Sequence, residues 1–228
     1  MRLVLWDIDG TLVDSVRLGL FAFEDAFERV TGTAPAEVVP FAGRTDFEIA
    51  HDLLERSRVE PSAELLERFG TELHRAMVER ADELRERGRA YPGARESLER
   101  LGREPDVVQS LLTGNIAPNA QVKLGAFGLD TLVDLEIGAY GSDHRRRGML
   151  VQVALGKYER KHGAALDAGD VVLIGDTPLD VAAAHEGGAR AVAVATGPFD
   201  AADLTAAGAD VVLEDLRDVD AVVAAALG

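Results

Sequence analysis

Residues 3–14 read Leu-Val-Leu-Trp-Asp-Ile-Asp-Gly-Thr-Leu-Val-Asp, an apolar run that stops at two aspartates and a glycine. This pattern predicts a buried strand that delivers Asp7 and Asp9 to its carboxyl end, where open α/β sheets bind their ligands. Two carboxylates this close repel each other unless a cation or a shared proton lies between them. The stretch therefore indicates a divalent metal site, with a solvated Asp-Gly turn as the alternative.

Two later apolar stretches end in the same way. Residues 109–115 read Gln-Ser-Leu-Leu-Thr-Gly-Asn, and residues 171–180 read Val-Val-Leu-Ile-Gly-Asp-Thr-Pro-Leu-Asp. Parallel strands bring such ends to one edge of a sheet, so groups far apart in the sequence can converge there. Carboxylates suit a hard metal ion, and Thr113 with nearby backbone N–H groups suits phosphate oxygens.

These three motifs, in this order and spacing, resemble the haloacid dehalogenase-like hydrolase superfamily, and more narrowly its phosphoglycolate phosphatase and β-phosphoglucomutase-like branch. The resemblance spans nearly the whole chain. It implies an α/β fold, in which a doubly wound parallel sheet forms a Rossmann-like core and a small all-helical cap domain is inserted after the first strand. It also implies Mg²⁺ as the cofactor and a small phosphorylated metabolite as the partner.

The resemblance also implies a role for each motif residue. Asp7 would be the nucleophile that forms an aspartyl-phosphate, and Asp9 would be general acid for the leaving alcohol and then general base for water. Mg²⁺ would be held by the Asp7 carboxylate, the Asp9 backbone carbonyl and Asp176, with Asp180 orienting a metal-bound water. Asp9 argues against dehalogenation, because a halide leaves without a proton whereas an alkoxide needs one. The groups implied to bind the phosphoryl oxygens are Thr113, Gly114 and Asn115.

One stretch departs from the family pattern. The family places a lysine just before the helix that precedes the last acidic motif, but residues 141–151 contain no lysine. A helix that begins just after Arg147 leaves this arginine at the usual place of the lysine, where it could neutralise the phosphoryl group and steady the nucleophile. The alternatives are Arg146, or a solvated arginine turn with Lys157 or Lys161 reaching the site instead.

The cap is predicted from amphipathic stretches that follow the first motif. Residues 15–31 carry apolar side chains at helical spacing, and two more such stretches follow at roughly 46–58 and 62–87. The turn Tyr91-Pro92-Gly93 then indicates a return to the core. The expected domains are a core over 1–14 and 91–228 and a helical cap over 15–90.

The loop Pro40-Phe-Ala-Gly-Arg-Thr-Asp46 resembles the substrate-facing loop of this branch. Arg44 and Thr45 are therefore candidates for binding a second anionic or hydroxyl group of the substrate. The alternative is that Thr45 or Asp46 caps the next helix while Arg44 is solvated.

The remaining sequence predicts the rest of a doubly wound sheet, with Ala-rich helices between its strands. The candidate strands lie near 3–7, 107–113, 133–138, 171–175, 190–195 and 210–213.

Composition agrees with such an enzyme and excludes some other classes. The chain has 228 residues, 47% of them hydrophobic, which is ample for a buried core, and no apolar run is long enough to cross a membrane. A net charge of −16 disfavours a broad nucleic-acid surface. The absence of cysteine and of a signal peptide favours a cytoplasmic protein. No feature of the sequence predicts an oligomeric state.

The sequence thus favours a Mg²⁺-dependent phosphatase that acts on a small phosphomonoester, phosphoglycolate phosphatase-like in type. A phosphomutase of the β-phosphoglucomutase type is the main alternative, because the catalytic motifs are the same and only the cap loops differ. A non-catalytic module that senses phosphate or metal would be expected to lack Asp7 or Asp9, and both are present. A structural or interaction protein would need a contiguous apolar stripe on the cap beyond the side chains that pack its core, and the cap sequence shows none.

Overall fold

The computed structural model describes residues 1–37 and 39–228, and its centre is a five-stranded parallel sheet. The strands of this sheet are β1 (Arg2–Trp6), β4 (Val107–Leu111), β5 (Val171–Gly175), β6 (Arg190–Val194) and β7 (Val211–Leu213), and they lie in the order β4-β1-β5-β6-β7. The central strand β1 pairs with β4 on one side and with β5 on the other. Trp6, the last residue of β1, stands opposite the last residue of β4 and Ile174 of β5. The three carboxyl ends are therefore level.

The side chains of β1 explain why helices cover both faces of the sheet. Successive residues of a strand point to opposite faces. Val4 and Trp6 belong to one buried cluster, and Leu3 and Leu5 belong to another. Helices α5 (Ala94–Leu101), α6 (Ala117–Gly125) and α10 (Val219–Leu227) contribute to the first cluster, and helices α7 (Leu150–His162), α8 (Pro178–Glu186) and α9 (Ala201–Ala206) contribute to the second. The predicted α/β fold with a doubly wound parallel sheet is confirmed.

The predicted strand over 133–138 is wrong. The backbone N–H groups of Asp134 and Ala139 donate to the carbonyl oxygens of Gln109 and Leu111 on β4, the edge strand of the sheet. The chain between these two anchors is longer than the piece of β4 that they span, so it loops outward. Only Ala139 forms a bridge, with Leu112.

Within the part of the chain that the structure describes, four helices lie between the first strand and the rest of the sheet. They are α1 (Leu18–Thr31), α2 (Asp46–Arg56), α3 (Ala63–Glu79) and α4 (Ala81–Arg87). The helix predicted over 62–87 is interrupted at Arg80, whose φ of −100° and ψ of 5° leave the helical region and whose guanidinium donates to the carbonyl oxygen of Ala76.

These helices share an apolar core of their own. On α3, Phe69, Leu73 and Met77 recur at helical spacing and are buried with Phe23 of α1 and Ile49 of α2. The chain enters and leaves this region through two short antiparallel strands, β2 (Val13–Asp14) and β3 (Arg89–Ala90). The helical unit is thus connected to the sheet by two adjacent segments.

Within the described residues, no helix is long and apolar enough to cross a membrane.

Candidate active site

The level strand ends place polar side chains from three motifs at one edge of the sheet. Asp7 directly follows β1, Thr113 lies two residues after β4, and Asp176 directly follows β5. All three side chains are buried, as are Asn115 and Asp180. Parallel pairing therefore produces the predicted convergence of motifs that are far apart in the sequence.

Three of the buried carboxylates form one cluster. Asp7, Asp176 and Asp180 each contribute an oxygen, and these atoms lie within 4.8 Å of one another. A single guanidinium contacts the cluster: Nη2 of Arg147 lies 3.1 Å from Oδ1 of Asp7 and also donates to Asp180. Three acids against one base leave an excess of buried negative charge among the described residues.

The pKa values of the cluster reflect this excess. Burial raises the pKa of Asp7 to about 6, with repulsion from Asp180 and Asp9 adding to the rise, although the charge of Arg147 opposes it. Burial together with the charges of Asp180 and Asp7 raises the pKa of Asp176 well above its usual value. Carboxylates that repel one another in this way provide a fitting donor set for a hard divalent cation.

Two glycines leave room around Asp176, the least paired acid of the cluster. A Cβ atom on Gly10 would lie 2.2 Å from Oδ2 of Asp176, and one on Gly197 would lie 1.8 Å from the same oxygen. Gly10 also has a φ of +83°, a conformation that favours glycine. Thr11 donates its hydroxyl hydrogen to Oδ1 of Asp176 at 3.1 Å. The space at Oδ2 therefore depends on two residues without side chains.

Asp180 is held by the protein itself. Its Oδ2 accepts hydrogen bonds from the backbone N–H of Thr177 at 3.0 Å and from the Thr177 hydroxyl at 2.7 Å. The bond from the Thr177 N–H, together with a bond of 3.2 Å from the Asp180 N–H to the Thr177 hydroxyl oxygen, forms a capping box at the start of α8. Its other oxygen accepts from Nη2 of Arg147. Asp180 therefore fixes the position of the guanidinium that also contacts Asp7.

The carboxylate of Asp9 points to a different set of partners. Its Oδ1 accepts from the Ser15 hydroxyl at 3.0 Å, and its Oδ2 accepts from Nδ2 of Asn115 at 2.8 Å and from Nζ of Lys123 at 2.6 Å. Enclosure by the protein would raise the pKa of Asp9, but the charge of Lys123 and these hydrogen bonds outweigh it and hold the pKa below its usual value.

Sequence reasoning missed Lys123. This lysine lies on α6, its side chain is only 5% exposed, and it also donates to Oδ1 of Asn115 at 2.7 Å. The signal was present in the sequence, because Lys123 shares a helix face with Ile116 and Ala120, both of which are buried. A lysine on a buried face is unusual unless it is paired.

Of the four basic candidates for the family's lysine position, Arg147 is the one that reaches the acid cluster. Arg146 is exposed and lies 3.7 Å from Glu186. Lys157 donates to the carbonyl oxygen of Gly138, and Lys161 donates to Asp134. Nε of Arg147 is buried and has no hydrogen-bond partner among the described residues.

The predicted phosphate loop, Thr113-Gly-Asn115, is packed directly against the loop before α2. The backbone N–H of Asp46 donates to the carbonyl oxygen of Gly114 at 2.8 Å, and Oδ2 of Asp46 accepts from the N–H of Ile116 at 2.8 Å. A Cβ atom on Gly114 would lie 2.0 Å from the carbonyl oxygen of Arg44, so this contact requires glycine. Asn115 donates through Nδ2 to the Thr113 hydroxyl oxygen at 2.9 Å.

The two residues predicted to bind substrate from the cap loop are engaged by the protein. Thr45 accepts from the N–H of Glu48, which caps α2, and donates its hydroxyl hydrogen to the carbonyl oxygen of Arg145. Arg44 is paired with Glu48 at 2.9 Å and with Asp52 at 3.1 Å. The structure therefore favours the capping interpretation for Thr45, and Arg44 is neutralised by carboxylates rather than solvated.

A cavity of about 340 Å³ opens above the acid cluster and extends between the helices. Its floor includes Asp7, Asp9, Asn115 and Arg147, and the side chains of α1, α2 and α3 form its walls. Ligand sites in proteins are typically concave and mostly apolar, with a few convergent polar groups, and this cavity has that form.

Comparison with known proteins agrees with the geometry. The family model described as haloacid dehalogenase-like hydrolase matches residues 4–185. Similar solved structures include a hydrolase from Pseudomonas syringae (25% identity, 97% of each chain covered, TM-score 0.69) and a predicted phosphoglycolate phosphatase from Haemophilus somnus 129pt (20% identity, 98% of each chain covered, TM-score 0.69). A protein titled putative beta-phosphoglucomutase from Thermotoga maritima has 23% identity, with 98% of this chain and 99% of that chain covered and a TM-score of 0.62. Comparison with curated proteins gave no match.

Proposed function

The chain belongs to the haloacid dehalogenase-like hydrolase family, and from this premise we propose that it hydrolyses a small phosphomonoester through an aspartyl-phosphate on Asp7. The observation that carries the proposal is the position of the Asp7 carboxylate. It is buried at the floor of the cavity, in contact with Arg147, and it lies beside the Asp176 and Asp180 carboxylates. A hydrolase that attacks phosphorus needs such an anion together with cationic groups that offset the charge of the phosphate.

In the first step, a carboxylate oxygen of Asp7 attacks phosphorus, the bond to the alcohol oxygen breaks, and that oxygen takes a proton from Asp9. The guanidinium of Arg147 offers a buried Nε for a phosphoryl oxygen. The hydroxyl of Thr113 and the backbone around Gly114 and Asn115 complete the proposed phosphate site. Burial makes each of these interactions stronger than it would be in water.

In the second step, water attacks the phosphorus of the aspartyl-phosphate and Asp9 accepts its proton, which frees Asp7 and inorganic phosphate. The lowered pKa of Asp9 keeps its carboxylate ionised after it has given up its proton, and this is the form that can accept a proton from water. The first step needs Asp9 in its protonated form, so its contact with Lys123 has to loosen when substrate binds. Lys123 then acts as a positioning residue for Asp9.

The acid cluster fits a magnesium ion. Asp7 and Asp176 would hold it, with the backbone carbonyl of Asp9 as the third protein ligand. Asp180 would remain bound to Thr177 and would orient a water beside the ion. When bound, the ion neutralises the charge of the nucleophile and the phosphate. The excess negative charge and the space that Gly10 and Gly197 leave at Asp176 support this assignment.

We also propose that the helices described within 15–90 act as a cap on the core formed by 1–14 and 91–228. The helices have their own apolar cluster, two adjacent strands connect them to the core, and their side chains wall the cavity. A cap of this kind excludes water from the reacting groups and contacts the leaving alcohol.

The proposal is tested by measuring phosphate release from a panel of phosphomonoesters in Mg²⁺ and in EDTA. Wild type and the exposed control Asp82→Asn are expected to release phosphate in Mg²⁺ only, and Asp7→Asn is expected to release none. Activity of Asp7→Asn above about one thousandth of wild type would overturn the nucleophile assignment. Isomerisation of a sugar phosphate without release of phosphate would instead identify a phosphomutase.

A further inference from the structure

The upper part of the cavity has an apolar wall. Six apolar side chains from three helices and one loop line it: Leu20 and Phe23 of α1, Phe41 of the loop before α2, Ile49 of α2, and Leu73 and Met77 of α3. Phe23 and Phe41 meet edge to face, with their ring centroids 4.9 Å apart. This wall faces the same space as the Asp7 carboxylate, so a substrate bound through its phosphate would extend towards it.

The cationic side chains near this wall are either paired with carboxylates of the protein or lie at the mouth of the cavity. Arg44 is paired with the carboxylates of Glu48 and Asp52. Lys123 is paired with Asp9 at the floor. Arg17 also lines the cavity, but it is exposed to water at the entrance. A carboxylate or a second phosphate placed against the wall would therefore lose its hydration without gaining a buried cation.

A sugar would meet a related difficulty. Each hydroxyl group that enters an apolar enclosure needs a hydrogen-bond partner to offset the loss of water. The six side chains of the wall provide none. Asn119 also lines the cavity, but its side-chain oxygen binds Nδ1 of His74 at 3.0 Å, so it can offer only its amide NH2, which is too few partners for the several hydroxyl groups of a sugar.

We propose that the substrate is a phosphomonoester of an uncharged, largely apolar alcohol, whose aromatic or alkyl group fills the space beneath Phe23, Phe41 and Met77. This inference rests on the proposed phosphatase function and deepens it. The edges and faces of Phe23 and Phe41 provide a surface on which an aromatic ring can pack. The cavity of about 340 Å³ has room for a phosphate group together with a group of ring size.

A matched pair of substrates provides the first test. Benzyl phosphate and 4-carboxybenzyl phosphate share the reacting group and the ring, and only the second carries a charge at the far end. We expect kcat/KM to be about tenfold or more higher for benzyl phosphate, because the carboxylate finds no buried cation. Along the series from ethyl to hexyl phosphate, kcat/KM is expected to rise about fourfold per methylene group until the wall is filled.

A pair of variants on α3 then tests whether the preference for the uncharged substrate arises from the apolar wall. Met77→Gln keeps the length of the side chain but places an amide on the wall, and Val78→Gln makes a matched change on the neighbouring residue, which is 49% exposed. The ratio of kcat/KM for benzyl over 4-carboxybenzyl phosphate is expected to fall about tenfold in Met77→Gln and to stay unchanged in Val78→Gln. Because both substrates are measured on one sample, partial unfolding of a variant cancels in the ratio.

The outcomes separate this inference from the proposed function. Release of phosphate with 4-carboxybenzyl phosphate or phosphoglycolate preferred would overturn the inference and leave the phosphatase intact. Loss of that preference in Arg17→Gln would then assign anion binding to the cavity mouth. An unchanged ratio in Met77→Gln would also overturn it. No release from any substrate would instead overturn the proposed function.

Discussion

Asp46 is a buried acid outside the proposed catalytic machinery, and replacing it by asparagine should stabilise the protein more as the pH rises. The residue begins α2 and holds this helix against the phosphate loop through the N–H of Ile116. Asparagine keeps an oxygen for that hydrogen bond and cannot ionise. The change therefore removes a buried charge while it retains the contact.

The size of the effect follows from the pKa of Asp46. Burial raises this pKa from 3.8 to about 7, against the opposing charge of Lys123 and the hydrogen bond from Ile116. The folded state thus binds the proton more tightly than the unfolded state, so stability falls as the pH rises from 3.8 through 7. Linkage gives a cost of about 2 kcal/mol at pH 5.5 and about 4 kcal/mol at pH 8.5. The stability of Asp46→Asn relative to wild type should therefore increase by about 2 kcal/mol between these two pH values.

Urea unfolding of both proteins at the two pH values, in EDTA, measures this difference. Effects of pH on the other acids are common to both proteins and cancel. Asp82→Asn makes the same change on a side chain that is 93% exposed, so it should show no such difference. An equal change in stability for Asp46→Asn at both pH values would refute the reasoning.

Three other predictions concern the active site. Gly197→Ala should weaken Mg²⁺ binding about ten- to a hundredfold, because the new methyl group would collide with Asp176. Calorimetric titration with Mg²⁺ measures the affinity, and Gly169→Ala, where a Cβ meets no neighbour, is the control. Equal affinities of the two variants would contradict the prediction. Lys123→Met should raise the pKa of Asp9, which must be protonated in the first step, so the alkaline limb of the pH profile of kcat/KM should move to higher pH, and an unmoved limb would rule out the positioning role. Mg²⁺ should raise the melting temperature more at pH 8.5 than at pH 5.5, because Asp7, whose pKa is raised to about 6, is largely protonated at the lower pH and then binds the ion poorly; an equal rise at both values would count against the metal assignment.

The sequence was most informative where the fold depends on local pattern. The apolar runs before Asp7, Thr113 and Asp176 predict three buried strands, and parallel pairing alone then brings their ends together. The predicted strand at 133–138 failed because this segment lies outside the edge strand and is anchored to it at only a few points. Its conformation depends on the spacing of those anchors, which the local pattern of side chains does not reveal.

Contacts between side chains on segments far apart in the sequence were harder to predict, because they depend on how separately formed elements pack together. Asp46 bonds to the loop after β4, and Lys123 reaches from α6 to Asp9. Neither contact follows from spacing within one segment. For Arg44 the signal was local, since Glu48 and Asp52 lie one and two helical turns further on, where they can pair with it.

The most direct measurement is to trap the covalent intermediate on the nucleophile. Borohydride reduces an acyl phosphate to the alcohol, so an aspartate that carries phosphate during turnover becomes homoserine, with one oxygen fewer and two hydrogens more. Trypsin should release residues 3–17 as one peptide, which contains Asp7, Asp9 and Asp14. Fragmentation of this peptide after turnover of benzyl phosphate in Mg²⁺ is expected to place homoserine at Asp7. Homoserine at another aspartate, or phosphate release with no modified aspartate, would contradict the mechanism.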